Sequence, residues 1–78
     1  MYVPHQANLR IIDHAVQRLQ IPEERVVVNV DRYGNMSSAS VPVALDEARE
    51  QGLIGEGSLV LMVAFGAGFT WAANVVRL

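Results

Sequence analysis

The chain is short and mildly acidic: its 78 residues carry a net charge of −2 and include no cysteine. This length limits it to one small domain or part of a larger one, and the missing thiol excludes disulfides, thiolate metal sites and a cysteine nucleophile within these residues. The acidic balance also argues against a nucleic-acid partner.

The first residues predict a short strand followed by a helix. "YV" is typical of the end of a strand, and the polar residues directly after it exclude a signal peptide. From Asn8 to Gln20, apolar residues recur at helical spacing, at positions 9, 12, 15, 16 and 19, and form one apolar face. Asn8 is suited to cap this helix, and Pro22 ends the pattern.

A second strand and a second helix are predicted next. "RVVVNV" is short, β-branched and apolar on both faces, which is typical of a buried strand. "DRYGNMSSAS" is rich in turn-forming residues and predicts a loop. A helix then runs to about Gln51 and stops at Gly52. Its cap is one of three serines, Ser37, Ser38 or Ser40.

The C-terminal part predicts a hairpin of two apolar strands. "LVLMVAF" is a continuous apolar strand, "GAG" a tight turn, and "FTWAANVVRL" a strand that pairs back antiparallel. The element order (β)-α-β-α-β-β therefore predicts an α/β protein with a mixed sheet whose last strand is antiparallel. The longest apolar run, residues 59–65, is too short to span a bilayer, so we expect a cytoplasmic chain without a membrane partner.

The predicted sheet has more apolar surface than the predicted helices can cover. Its central strands show no polar alternation, so both of their faces require cover, which two short helices cannot easily supply. Residues 1–78 are therefore expected to form a single partial domain, which packs against the remainder of a larger protein or against itself.

Polar residues and glycines follow the ends of three predicted strands. His5 follows the first strand, Asn35 follows the second after a short loop, and Gly66 and Ala67 end the third. If these strands are parallel, the three segments meet at one edge of the sheet, where His and Asn N–H groups can stabilise negative charge on a carbonyl oxygen. The residues alone leave open that His5 is a capping or surface residue and that Asn35 belongs to an ordinary turn. No metal site is predicted, because the only other histidine, His14, lies inside the first helix.

Three segments resemble a known family of condensing enzymes. "VPHQANLRII" resembles the active-site histidine segment of β-ketoacyl-acyl-carrier-protein synthase III, and "NVDRYGNMSSASVPVALDEA" is similar to its asparagine segment. "LVLMVAFGAGFTWAANVVRL" resembles the C-terminal hairpin of the same family. The resemblance runs through residues 2–78 in the right order and corresponds to roughly the last quarter of the family's chain. It implies the C-terminal part of a thiolase-like half-domain.

The resemblance also implies catalytic roles. His5 and Asn35 would bind the thioester carbonyl of malonyl-acyl-carrier-protein and stabilise the enolate that decarboxylation leaves. Backbone N–H groups near Ala67 would contribute to an oxyanion hole, and Phe65 and Gly66 belong to the same cavity. The family usually has glycine at the position of Ala67, a change that keeps the backbone donor.

Substrate-binding roles are implied for two residues at the start of the first helix. Asn8 resembles the family residue near the pantetheine arm, and Arg10 resembles a residue of the patch that receives the acidic carrier protein. Met36 departs from the threonine that usually follows the Gly-Asn pair, which affects the expected local hydrogen bonding but not the role of Asn35.

The function implied is that of a fragment of an acyltransferase that starts fatty-acid synthesis. The complete enzyme would join an acyl-CoA primer to malonyl-acyl-carrier-protein with decarboxylation, without a cofactor. Because the family's nucleophilic cysteine is not among these residues, the chain by itself is expected to be inactive. Two alternatives stay open: a non-catalytic thioester-binding or oligomerisation module, and one chain of a split synthase.

Overall fold

A computed structural model describes the backbone of residues 1–78 and every side chain except that of Phe69. The helices and strands, in chain order, are β1 (Tyr2–Pro4), α1 (Leu9–Leu19), α2 (Val30–Tyr33), α3 (Ser40–Glu50), β2 (Leu59–Gly66) and β3 (Thr70–Arg77). Single 3-10 turns cover Glu23–Arg25, Ser37–Ala39 and Ala67–Phe69. None of the described helices is long and apolar enough to cross a bilayer.

The sheet is mixed, and β2 lies at its centre. β1 pairs with β2 in parallel, with Tyr2 opposite Leu61, and β2 pairs with β3 antiparallel along its whole length. The turn between β2 and β3 requires a positive φ, which Gly68 adopts at +77°. The predicted α/β class, the hairpin and the antiparallel last strand are confirmed.

The regular strand predicted for "RVVVNV" is wrong. Val26 forms a single parallel bridge with Tyr2, and the Val27 N–H donates to the Tyr2 carbonyl at 3.0 Å, but no ladder continues beyond this point in the described segment. The physical reason is that the N–H groups of Asn29 and Val30 are taken by the side chain of Gln6, and α2 begins at Val30. The predicted loop "DRYGNMSSAS" accordingly contains most of α2.

The two long helices start in different ways. Asn8 caps α1 as predicted, because its Oδ1 accepts a hydrogen bond from the Ile11 N–H at 3.0 Å. The serine cap predicted for α3 is wrong: Ala39 precedes the helix without a side-chain cap, and the Ser40 Oγ accepts from the Gln6 N–H at 2.6 Å. The α3 helix ends just before Gly52, as expected, which has a φ of +74°.

The core lies between α3 and the first two strands. It is built from Val3, Val27, Ala44, Ala48, Ile54 and Val60. By contrast, every residue of β3 is exposed, including Trp71 and Val75. The apolar surface of this part of the sheet is therefore not covered by the described residues.

Candidate functional site

A pocket of about 550 Å³ opens where β1 and β2 end. Its lining includes His5, Asn35, Ser37, Phe65, Gly66 and Trp71. A larger groove, of about 890 Å³, runs between α1, α3 and residues 26–28, and its lining contains none of the predicted site residues. The smaller pocket is therefore the candidate functional site.

His5 enters this pocket directly from β1. The His5 N–H donates to the Val63 carbonyl at 2.6 Å, so the parallel pairing of β1 with β2 continues up to the histidine. The residue is only 9% exposed, and its ring meets that of Phe65 edge-on, with the ring centroids 5.4 Å apart and the planes at 82°. Backbone pairing and this aromatic contact fix where the imidazole lies.

Asn35 is presented by a sharp turn after α2. Gly34 adopts a φ of +68° and a ψ of −162°, a combination essentially restricted to glycine. The Asn35 Oδ1 accepts a hydrogen bond from the Ser37 N–H at 2.9 Å. Because the oxygen is engaged in this turn, the Nδ2 protons are left for an acceptor elsewhere. The bond uses only the backbone of Ser37, so it forms with Met36 at the intervening position.

The other predicted site residues fall into two groups. Phe65 and Gly66 line the pocket, and Ala67 follows in the adjacent turn, outside the lining. Asn8 and Arg10 are exposed at the start of α1 and do not line the pocket either. The structure therefore brings His5 and Asn35 together with Phe65 and Gly66, and keeps the two α1 residues apart from them.

A family model shows where this arrangement belongs. The model described as "3-Oxoacyl-[acyl-carrier-protein (ACP)] synthase III C terminal" matches residues 1–78. The chain belongs to this family. The resemblance seen in the sequence is thereby confirmed.

Synthase III relatives match along almost the whole chain. Proteins named beta-ketoacyl-[acyl-carrier-protein] synthase III from Desulfitobacterium hafniense and Symbiobacterium thermophilum are each 60% identical to it, over 75 and 77 residues. These matches cover 96% and 99% of this chain but 23% of each relative. The chain thus spans about a quarter of the length of the relatives it matches.

Solved structures agree with the fold. The synthase III of Thermus thermophilus is 64% identical and superposes with a TM-score of 0.97, over 100% of this chain and 24% of that one. The synthase III of Aquifex aeolicus is 49% identical, also with a TM-score of 0.97, over 100% of this chain and 25% of that one. Xanthomonas campestris OleA, at 23% identity and a TM-score of 0.92, shares the fold.

Gln6 is a feature of this synthase III domain that the sequence analysis missed. It is fully buried, and its side-chain amide makes four hydrogen bonds. Its Nε2 donates to the carbonyls of Pro4 at 3.0 Å and Val27 at 3.1 Å, and its Oε1 accepts from the N–H groups of Asn29 at 2.9 Å and Val30 at 3.1 Å. The only sequence signal was its place directly after His5. The missed pocket residues Ser37 and Trp71 depend on the turn and on the hairpin register, which sets Phe65 opposite Trp71.

A second buried amide, that of Asn29, forms none of the hydrogen bonds that its side chain could make within the described part of the chain. Asn29 is fully buried, yet its Nδ2 and Oδ1 have no hydrogen-bond partner among the described atoms. An unpaired buried amide is unfavourable, whereas an apolar group of the same shape at such a site is neutral or stabilising.

We therefore expect Asn29→Leu to leave the free energy of unfolding of the 78-residue chain unchanged or to raise it by about 1 kcal/mol. Gln6→Leu is the matched comparison, because it removes a buried amide whose four bonds are all made. It is expected to lower the same free energy by about 3 kcal/mol or more, since it leaves several buried backbone groups without a hydrogen-bond partner. Urea unfolding followed by circular dichroism, at one fixed protein concentration, measures both. A large loss for Asn29→Leu would show that the Asn29 amide does have a partner.

Proposed function

We propose that this chain supplies the enolate-stabilising side of the active site of a β-ketoacyl-acyl-carrier-protein synthase III. The complete enzyme joins an acyl-CoA primer to malonyl-acyl-carrier-protein with loss of carbon dioxide, in the cytoplasm and without a cofactor. The observation that carries the proposal is that His5 and Asn35, thirty positions apart in sequence, line one pocket at the end of two parallel strands.

Decarboxylation requires hydrogen-bond donors at the carbonyl oxygen of the malonyl thioester. When the bond to the malonyl carboxylate breaks, carbon dioxide leaves and the electron pair moves into the thioester, so that negative charge develops on the carbonyl oxygen. An imidazole N–H from His5 and the Nδ2 protons of Asn35 are suited to stabilise that oxygen. The turn bond to Ser37 supports this, because it engages the Asn35 oxygen and leaves the donor side of the amide available.

The enolate carbon then attacks the acyl thioester, and the cysteine thiolate leaves. These 78 residues contain no cysteine, so the acyl group must be held on a thiol supplied by another part of the enzyme. Backbone N–H groups at Gly66, the last residue of β2, and at Ala67, the first residue of the following turn, are proposed to contribute to the oxyanion hole for this second step. Phe65, which packs edge-on against His5, limits rotation of the imidazole.

Substrate contacts outside the pocket are proposed for the start of α1. Arg10 is exposed and forms no ion pair with the described residues, which suits a cation that receives the acidic carrier protein. Asn8 is exposed beside it, although its Oδ1 is already engaged in the helix cap, so its amide nitrogen is the atom proposed to contact the pantetheine arm.

A chimera tests the proposal. Residues 1–78 would replace the matching C-terminal 24% of the Thermus thermophilus synthase, whose fold in this part is nearly the same. We expect the chimera to acylate its cysteine and to condense the acyl group with malonyl-acyl-carrier-protein, and the 78-residue chain alone to do neither. The Thermus protein without its C-terminal part is the control. A chimera that is acylated normally but fails to condense would contradict the proposed function.

A further inference from the structure

The buried amide of Gln6 joins the two segments that carry the proposed donors. One end of the amide is bound within the chain leading to His5, through the carbonyl of Pro4. The other end accepts from the N–H of Val30, the first residue of α2, whose last residue directly precedes Gly34 and Asn35. A single side chain therefore spans the distance between the histidine and asparagine segments.

A third bond anchors the far side of the asparagine turn. The backbone N–H of Gln6 donates to the Ser40 Oγ, at the first residue of α3. Asn35 lies midway between Val30 and Ser40, so both ends of the segment that presents it are bound to the residue directly after His5. The bond to Ser40 is buried and the bond to Val30 is part-buried, so loss of either bond is unfavourable.

The side chain replaces a strand ladder at this point. Pairing between β1 and residues 26–30 is limited to the bridge at Val26, and the backbone donors of Asn29 and Val30 bind the Gln6 oxygen instead of a strand carbonyl. Both amide protons and both acceptor positions of the Gln6 side chain are used, so no other natural side chain can make the same set of bonds.

From this network we infer that Gln6 is a positioning residue, which sets the position of His5 relative to Asn35 for enolate stabilisation. The inference rests on the proposed function. It predicts that changes at Gln6 slow condensation, which needs both donors. Acylation of the cysteine needs neither donor for an enolate and should change much less.

The test uses the chimeric synthase and two variants of Gln6. Gln6→Met keeps the length of the side chain and removes all four bonds of the amide. We expect it to slow condensation by about 10–100-fold, because small displacements of reacting groups have effects of this size, with cysteine acylation changed much less. Gln17→Met makes the same chemical change at an exposed position of α1 and is expected to leave both steps unchanged.

Gln6→Glu supplies a second readout, the pH dependence of condensation compared with that of cysteine acylation, because a merely structural role would change both steps together. Its carboxylate oxygen would face the carbonyl oxygens of Pro4 and Val27, while the protonated acid can donate to one of them. One carboxylate oxygen would still accept from the N–H groups of Asn29 and Val30, but burial and the repulsion at the other oxygen favour the protonated acid, so the ratio of condensation to acylation should recover, relative to the parent chimera, as the pH is lowered.

The outcomes separate the inference from the function on which it rests. If alanine at His5 and Asn35 leaves condensation unchanged, the proposed function is wrong. If those variants slow condensation but both Gln6 variants match the parent in rate and pH profile, only the role of Gln6 is wrong. Loss of cysteine acylation together with condensation in both Gln6 variants also overturns the inference, because Gln6 would then maintain the fold in general.

Discussion

His5→Ala and Asn35→Ala are each expected to slow the condensation step of the chimeric synthase by about 10²–10³-fold, the effect of removing one oxyanion donor. Acylation of the cysteine should change much less, because no enolate forms in that half-reaction. Rapid-quench measurement of the two half-reactions separates them. His14→Ala is the matched control, since His14 is exposed on α1 and lies outside the pocket.

The turn at Asn35 allows its two amide atoms to be tested separately. Asn35→Asp keeps an oxygen that can accept from the Ser37 N–H and so preserves the turn, but it removes the Nδ2 donor and adds a negative charge next to the developing one. Condensation by this variant should be at least as slow as by Asn35→Ala. Activity close to that of the parent would mean that the asparagine serves only to shape the turn.

The double variant shows whether the two donors act on the same oxygen. If they do, loss of both slows condensation by less than the product of the single losses, because groups that act as a unit are not additive. Equal losses in acylation and condensation for every variant would contradict the assignment, since the residues would then support the protein in general and not the enolate.

Much of this fold follows from local sequence patterns. The α1 helix has one apolar face and an asparagine cap, and both features depend on residues within four positions of one another. The β2–β3 hairpin follows from two apolar runs around a glycine turn. The meeting of His5 and Asn35 was predictable only in part: His5 follows β1, which is parallel to β2, whereas Asn35 follows α2 and not the strand expected there.

The parts that were predicted wrongly depend on Gln6. Its side chain binds the backbone donors of Asn29 and Val30, which ends the strand expected there, and its backbone N–H binds the hydroxyl of Ser40, one of the three serines expected to cap α3. These partners lie 23 to 34 positions away along the chain. No local pattern marks them, and a glutamine between a histidine and an alanine carries no signal that it will be fully buried.

The second large effect is expected in the assembly state of the isolated 78-residue chain. Every residue of β3 is exposed, with Trp71 at 76% and Val75 at 63%, and no described strand pairs with the outer edge of β3. Covering several hundred Å² of apolar surface at roughly 25 cal/mol per Å² favours association by several kcal/mol before the entropy of association is subtracted. We therefore expect a homo-oligomer at micromolar concentration, measured by light scattering.

The single tryptophan reports on which surface associates. Trp71 is the only tryptophan of the chain and lies on β3, so its emission should shift to longer wavelength on dilution as the oligomer dissociates. Val75→Lys should weaken association strongly, because it places a charge on the same strand, whereas Leu19→Lys, at an exposed apolar position of α1, should not. A folded monomer of the parent chain would instead favour a self-sufficient thioester-binding module.

The same surface decides between self-association and completion by the rest of a synthase. If β3 is the surface by which this chain joins the other three quarters of the enzyme, the N-terminal part of the Thermus synthase should compete with it. Adding that part should then disperse the homo-oligomer, leave Trp71 covered in the new complex, and generate condensation activity from two separate chains, as in a split synthase. Dispersal without activity would show that the contact forms but leaves His5 and Asn35 out of reach of the acylated cysteine.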